Sequence, residues 1–142
     1  MFLTYCAGEH HRIVVNTARV LHTNTVHGVR LKSTTNATAL ASTWTNSLSL
    51  LSSELVGRSY GGGVLKLEPT EAEAVVLPPL TGDDDRVRKL DEYVRGRDLR
   101  RALDLVDEIV LRQGLDLSGA QVLMLRDAGE LLRSRRRGRG RP

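Results

Sequence analysis

Between Arg58 and Lys66 the chain reads RSYGGGVLK, which sets an arginine, hydroxyl groups and a lysine around three consecutive glycines. Such cations and hydroxyls suit a polar or anionic ligand. The glycines Gly61, Gly62 and Gly63 lack a Cβ, so they permit positive φ and let another surface lie against the backbone. A hairpin-like turn that needs glycine only for its geometry accounts for the same residues. A second polar set, His22, Asn24, His27 and Arg30, is interleaved with β-branched residues in VLHTNTVHGVRL. The third set is the C-terminal SRRRGRGRP, with Arg135, Arg136, Arg137 and Arg139. Six arginines and no acid fall in the last ten residues, and setting them aside turns the formal charge of +4 into −2. Basic, glycine-rich tails of this kind attract polyanions by counterion release, although a solubilising terminus would have the same composition.

Other chemistries find less support. His10, His11, His22 and His27 are not accompanied by the cysteines or carboxylates at recognisable spacing that a metal site needs, so no metal ligand is assigned. No nucleophile and no acid–base pair stand out either, and no catalytic residue is assigned. Cys6 is the single cysteine, which excludes an internal disulfide. No run approaches the ~20 apolar residues of a membrane span, and no export signal precedes the first strands, so a cytoplasmic protein without a membrane partner is expected.

The elements that must position these residues can be read in chain order. Residues 1–32 favour strands: HRIVV, and then Val20 to Leu31 as strand, Asx-type turn near Asn24 and strand, with Gly28 a bulge. Asn36 is a good N-cap for one long helix from Ala37 to Val56. Its buried face would be Ala37, Leu40, Ala41, Trp44, Leu48, Leu51 and Leu55, with serines and threonines on the other side and Gly57 closing it. A strand follows at Val64 to Leu67, then a short helix with a Thr70–Glu73 capping box, and Pro78 and Pro79 end the apolar run. Asp83 to Asp85 open a helix running to Arg95. Asp98 caps a second that is closed by Gly114, and Ser118 caps a third, together a small bundle. The expected fold class is α+β, with a strand-rich part at 1–81, a helical extension at 82–132 and an unfolded Arg/Gly-rich tail at 133–142.

The segment ELVGRSYGGGVLKLEPTEAEAVVLPP resembles the C-terminal target-recognition region of adenine-specific N6 DNA methyltransferases of the TaqI/Eco57I type. VLHTNTVHGVRL and the helix ATALASTWTNSLSLLSSELVG stand upstream in the order that region requires, and DLRRALDLVDEIVLRQGLDLS is similar to the helical extension after it. The resemblance implies contact with double-stranded DNA, beside a catalytic methyltransferase domain or subunit in restriction-modification or phage defence. The chain departs from the family's catalytic pattern, however. An N-P-P-Y or D-P-P-Y motif holds the flipped adenine in these enzymes. Here the only Pro-Pro is Leu77-Pro78-Pro79-Leu80, and no glycine-rich loop joins a strand to a helix as a cofactor site would require.

The resemblance therefore implies a non-catalytic specificity module of a split or truncated enzyme. S-adenosylmethionine would belong to the partner catalytic domain, and no cofactor is expected in this chain. DNA contact is expected from His22, Asn24, His27, Arg30, Arg58, Ser59, Tyr60, Gly61, Gly62, Gly63 and Lys66. Arg135, Arg136, Arg137 and Arg139 would add sequence-independent phosphate attraction. The alternative is an interaction or structural subunit that docks through its Ser/Thr helix face or its bundle without touching DNA.

Overall fold

β-branched and aromatic residues near the N-terminus give short strands, and the computed structural model describes residues 1–138. In one sheet β1 (Phe2–Thr4) lies between β3 (Ile13–Val14) and β4 (Val26–Gly28), antiparallel to both. After Tyr5 the chain passes into a second sheet. There β6 (Val64–Lys66) lies between β2 (Cys6–Ala7) and β5 (Arg58–Tyr60), again antiparallel. The helices are α1 (Ala37–Thr43), α2 (Ser47–Val56), α3 (Pro69–Glu73), α4 (Asp84–Arg95), α5 (Leu99–Val106) and α6 (Gly119–Gly138), and α5 runs on into a π-helical segment at Asp107–Gln113. The class is α+β, as the sequence leads one to expect.

Local cap chemistry sets most helix starts. Asn36, Asp83 and Asp98 accept hydrogen bonds from the N–H groups of Thr38, Arg86 and Arg101, each satisfying a donor that the first helical turn leaves free. Ser118 and Gln121 cap α6 reciprocally. Two apolar clusters result. Leu3, Leu40, Trp44, Leu67 and Val75 form one beneath the strands. Leu90, Ala102, Val106, Val110, Leu111 and Val122 form the other among the later helices, with Leu48 of α2 against it.

Several local expectations are corrected. The stretch 37–56 is two helices, broken at Trp44–Asn46. Asn46 caps α2 by accepting from Ser49 N–H, while Trp44 Nε1 donates to the His11 carbonyl at 2.9 Å, so tertiary contacts hold the break without proline or glycine. Val20 to Leu31 holds only β4, because β1 supplies no partner for residues 20–25. Gly28 is not a bulge: it pairs with Phe2, and a Cβ there would lie 2.6 Å from His22 Nε2. The α3 capping box is Glu68 with Glu71, Pro69 taking the first helical position, rather than Thr70 with Glu73. Gly57 closes α2 in extended conformation, close against Leu65 and Lys66.

The largest correction concerns polarity. Ser47, Ser49, Ser52 and Ser53 of α2 are buried, and Leu55 is 67% exposed. Ser49 pairs with Asn46 and Ser52 Oγ accepts from Val76 N–H on one side of α2, while α6 lies along the other, with Gly129 against the Leu51 backbone. Asp107 accepts from Ser47 N–H at 2.7 Å and Ser47 Oγ at 2.5 Å, at the positive end of the α2 dipole, and from Arg126 at 2.7 Å. Farther along, Arg136 donates to both Glu54 oxygens, at 3.0 and 2.7 Å, and to the carbonyls of Gly8 and Gly63. Residues 133–138, expected in the unfolded tail, are thus the last turns of α6. A cavity of about 30 Å³ remains in this seam, lined by His10, His11, Glu54, Arg126, Glu130 and Arg133 among others.

Candidate nucleic-acid interface

Arg58 and Cys6 are the register partners of Lys66 on either side of β6, so the three residues form a row on one face of the sheet. Tyr60, two residues after Arg58, shares that face. The three glycines close the hairpin in a tight turn that leaves the helical region, with φ of 74° at both Gly62 and Gly63. A side chain would be strained at either position.

Carboxylates from the first turn of α3 and its N-cap meet this face. Arg58 Nε donates to Glu71 Oε1 at 2.5 Å, and Glu71 Oε2 accepts from Glu68 N–H at 2.8 Å. Lys66 Nζ lies 2.7 Å from Glu68 and over two aromatic rings, 4.6 Å from the Tyr5 centroid and 5.3 Å from that of Tyr60. The Tyr5 hydroxyl donates to the same Glu68 oxygen at 3.1 Å. The Glu68 N–H, and then Arg58, hold the Glu71 carboxyl below its usual value; Lys66 does the same for Glu68. In return, Glu71 raises the pKa of Arg58 and Glu68 that of Lys66.

His27 joins the face through Tyr5. Its Nε2 donates to the Leu67 carbonyl at 2.7 Å, and its ring meets the Tyr5 ring edge-on with centroids 4.8 Å apart. His22 packs its ring on Phe2, and its Nδ1 donates to Thr23 O. Asn24 and Arg30 are exposed beyond β4, with no side-chain hydrogen bond or ion pair among the described residues. Ser59, Gly61 and Gly62 are exposed at the hairpin, and Gly63 is buried. A Cβ on Gly63 would lie 3.0 Å from the Arg137 Cα, so the surface that approaches this glycine is the protein's own helix. Hairpin turn and arginine-rich helix end are therefore neighbours. Arg135 and Arg137 are exposed there, Arg136 is buried, and Arg139 lies outside the described residues.

Residues 1–111 match the family model described as type II methyltransferase M.Eco57I, C-terminal domain. The chain belongs to this family. No curated protein and no solved structure matches it. The part matched to the M.Eco57I C-terminal domain includes both sheets, the hairpin and α3, and ends inside the π-helical segment. The α6 helix that braces the hairpin lies beyond it.

Three residues of this face escaped the sequence reading: Tyr5, Glu68 and Glu71. Glu68-Pro69-x-Glu71 does carry the spacing of a capping box with proline at its first helical position, but Thr70-x-x-Glu73 competes with it two residues later. Elsewhere, burial first, and then Arg12, lowers the pKa of His10 to about 4. Burial also lowers that of the wholly buried His11, whose Nδ1 donates to the Thr4 carbonyl at 2.8 Å. Among the described residues, no three His, Cys, Asp or Glu side chains are grouped to hold a metal ion, and no helix is long and apolar enough to cross a membrane.

Proposed function

We propose that this chain is a non-catalytic DNA-recognition module of an adenine-N6 methyltransferase, acting in the cytoplasm beside a catalytic domain or subunit that binds S-adenosylmethionine. In this reading residues 1–81 recognise the duplex and residues 82–132 form a helical extension. The observation that carries it is the exposure of Arg58 and Tyr60 on a hairpin whose glycine turn lies against Arg137 of the arginine-rich α6 end, in a chain from the M.Eco57I C-terminal domain family. Exposed arginines there attract phosphates, and an exposed guanidinium suits a base edge.

Mobility shifts of the full chain with mixed-sequence duplexes, alone and with a catalytic methyltransferase subunit, test this. Retardation is expected, with log K falling against log salt by about 0.9 for each phosphate neutralised. Absence of retardation in both settings, from about 50 to 200 mM salt, overturns the proposal. Calorimetry of the isolated chain with S-adenosylmethionine should give no saturable heat.

One observation favours a second reading. Leu123, Met124 and Leu131 stand exposed on α6 and suit docking on a catalytic subunit without DNA contact. Co-elution with that subunit, together with no retardation of DNA by the pair, would select it.

A further inference from the structure

The hairpin carries two cations, Arg58 and Lys66, and the α3 capping box gives each a carboxylate. The two pairs differ in what they leave free. Lys66 is enclosed: its single ammonium meets Glu68 and lies over Tyr5 and Tyr60, and its side chain is 21% exposed. Arg58 is held at one corner only. Glu71 takes its Nε, both Nη groups have no hydrogen bond among the described residues, and the side chain is 59% exposed. Glu71 is itself fixed, since its second oxygen accepts from the first N–H of the capping box and its side chain is 15% exposed.

We propose that Glu71 is a positioning residue that holds Arg58 by Nε and presents its two Nη groups to the O6/N7 edge of a guanine, while Lys66 braces the hairpin without reading a base. The proposal rests on the DNA-recognition reading above and names the group within that face that discriminates. A guanidinium matches a guanine edge with two parallel N–H donors, and a side chain already held in one geometry loses less freedom when it binds. One carboxylate that serves both a helix cap and an arginine couples the position of the reading group to the start of α3. Glu68 gives Lys66 the converse arrangement, a charge satisfied on several sides within the protein.

The test is selection from a pool of duplexes randomised over a central segment, using the full chain with its catalytic subunit, followed by competition binding. Wild type should enrich a site containing a required guanine, and 7-deazaguanine at that position, which lacks the N7 acceptor, should weaken binding. Arg58→Ala should reduce discrimination at that guanine by roughly 5- to 100-fold. Glu71→Ala should reduce it in the same direction, and Glu71→Gln, which keeps one acceptor oxygen that can face Arg58 Nε, should restore part of it. In an Arg58→Ala background neither Glu71 substitution should change discrimination further, whereas Lys66→Met should leave the guanine requirement intact. Thermal melting of each variant accompanies the binding data.

An unchanged guanine requirement in Arg58→Ala overturns the inference while leaving the DNA-recognition reading in place. So does a Glu71→Ala effect that persists in the Arg58→Ala background, since that effect would be structural. Failure of any duplex to enrich overturns the DNA-recognition reading, and this inference falls with it.

Discussion

Arg58 and Arg136 are both paired with a glutamate, and they lie at opposite extremes of what such a pair can do. The Arg58 side chain is 59% exposed and bound at one nitrogen, whereas that of Arg136 is 3% exposed and gives every donor group to Glu54 or to the carbonyls of Gly8 and Gly63. Water screens the first pair, which therefore adds little to stability and keeps capacity for a ligand. The second has lost its hydration and depends on its partners to offset that loss. Arginine content alone does not locate a polyanion site. Of the three arginines at 135–137, the middle one is a structural bolt between α6, α2 and the hairpin, and its neighbours are the exposed ones.

The sharpest way to break this comparison is Arg136→Ala. It strands the Glu54 carboxylate in a buried site and should cost about 3 to 5 kcal/mol in urea denaturation. Replacing both partners with apolar residues, Arg136→Met with Glu54→Leu, should recover much of that loss, because no charge is then left unpaired. Equal losses from the single and double replacements would mean that packing, and not charge, holds α6 in place.

Acid separates the same two regions by pH. His10 lines the cavity in the buried seam, and its pKa is lowered to about 4 in the folded protein. Between that value and the unfolded value of about 6.5 the unfolded chain binds the extra proton, so stability falls as pH falls through this window. The His10 contribution is on the order of 3 kcal/mol, and His11 acts in the same direction. Glu68 and Glu71, lowered from 4.5, give up their contribution only as pH falls through their lower folded values. Melting curves from pH 7 to 4 should therefore show an early loss that His10→Gln diminishes. A wild-type protein with flat stability across that window would contradict the neutral state of the half-buried His10.

The smallest effect belongs to the exposed pair. Arg58→Ala should leave the melting temperature close to that of wild type, while Arg136→Ala lowers it markedly. Similar drops from both substitutions would erase the distinction and make the hairpin cation a structural element.

Much of the fold was legible because it rests on neighbours in sequence. Asp83, Asp98 and Ser118 lie beside the N–H groups they cap, and the glycines at 61–63 mark a turn whose positive φ few other residues accept. Of the site, Arg58, Tyr60 and Lys66 were recognisable by type and close spacing, and alternation along β5 with antiparallel pairing to β6 brings them onto one face.

What remained hidden depended on contacts distant in the chain. A helix with leucines on one side and serines on the other is ordinarily buried on its leucines, yet the α2 serines are buried, because distant groups satisfy them: Asp107, 60 residues on, takes the N–H and hydroxyl of Ser47, and Val76 N–H donates to Ser52 Oγ. The break before α2 has the same origin. Arg136 reads as one more charge in a basic tail until Glu54, 82 residues earlier, meets it. The sequence by itself determined the class of each element, the caps and the chemical types available at the hairpin. Tertiary structure alone decided which polar groups are satisfied inside the protein and which remain for a ligand, because the cost of burying a charge or a hydroxyl depends on the partner it finds, and chain order does not specify that partner.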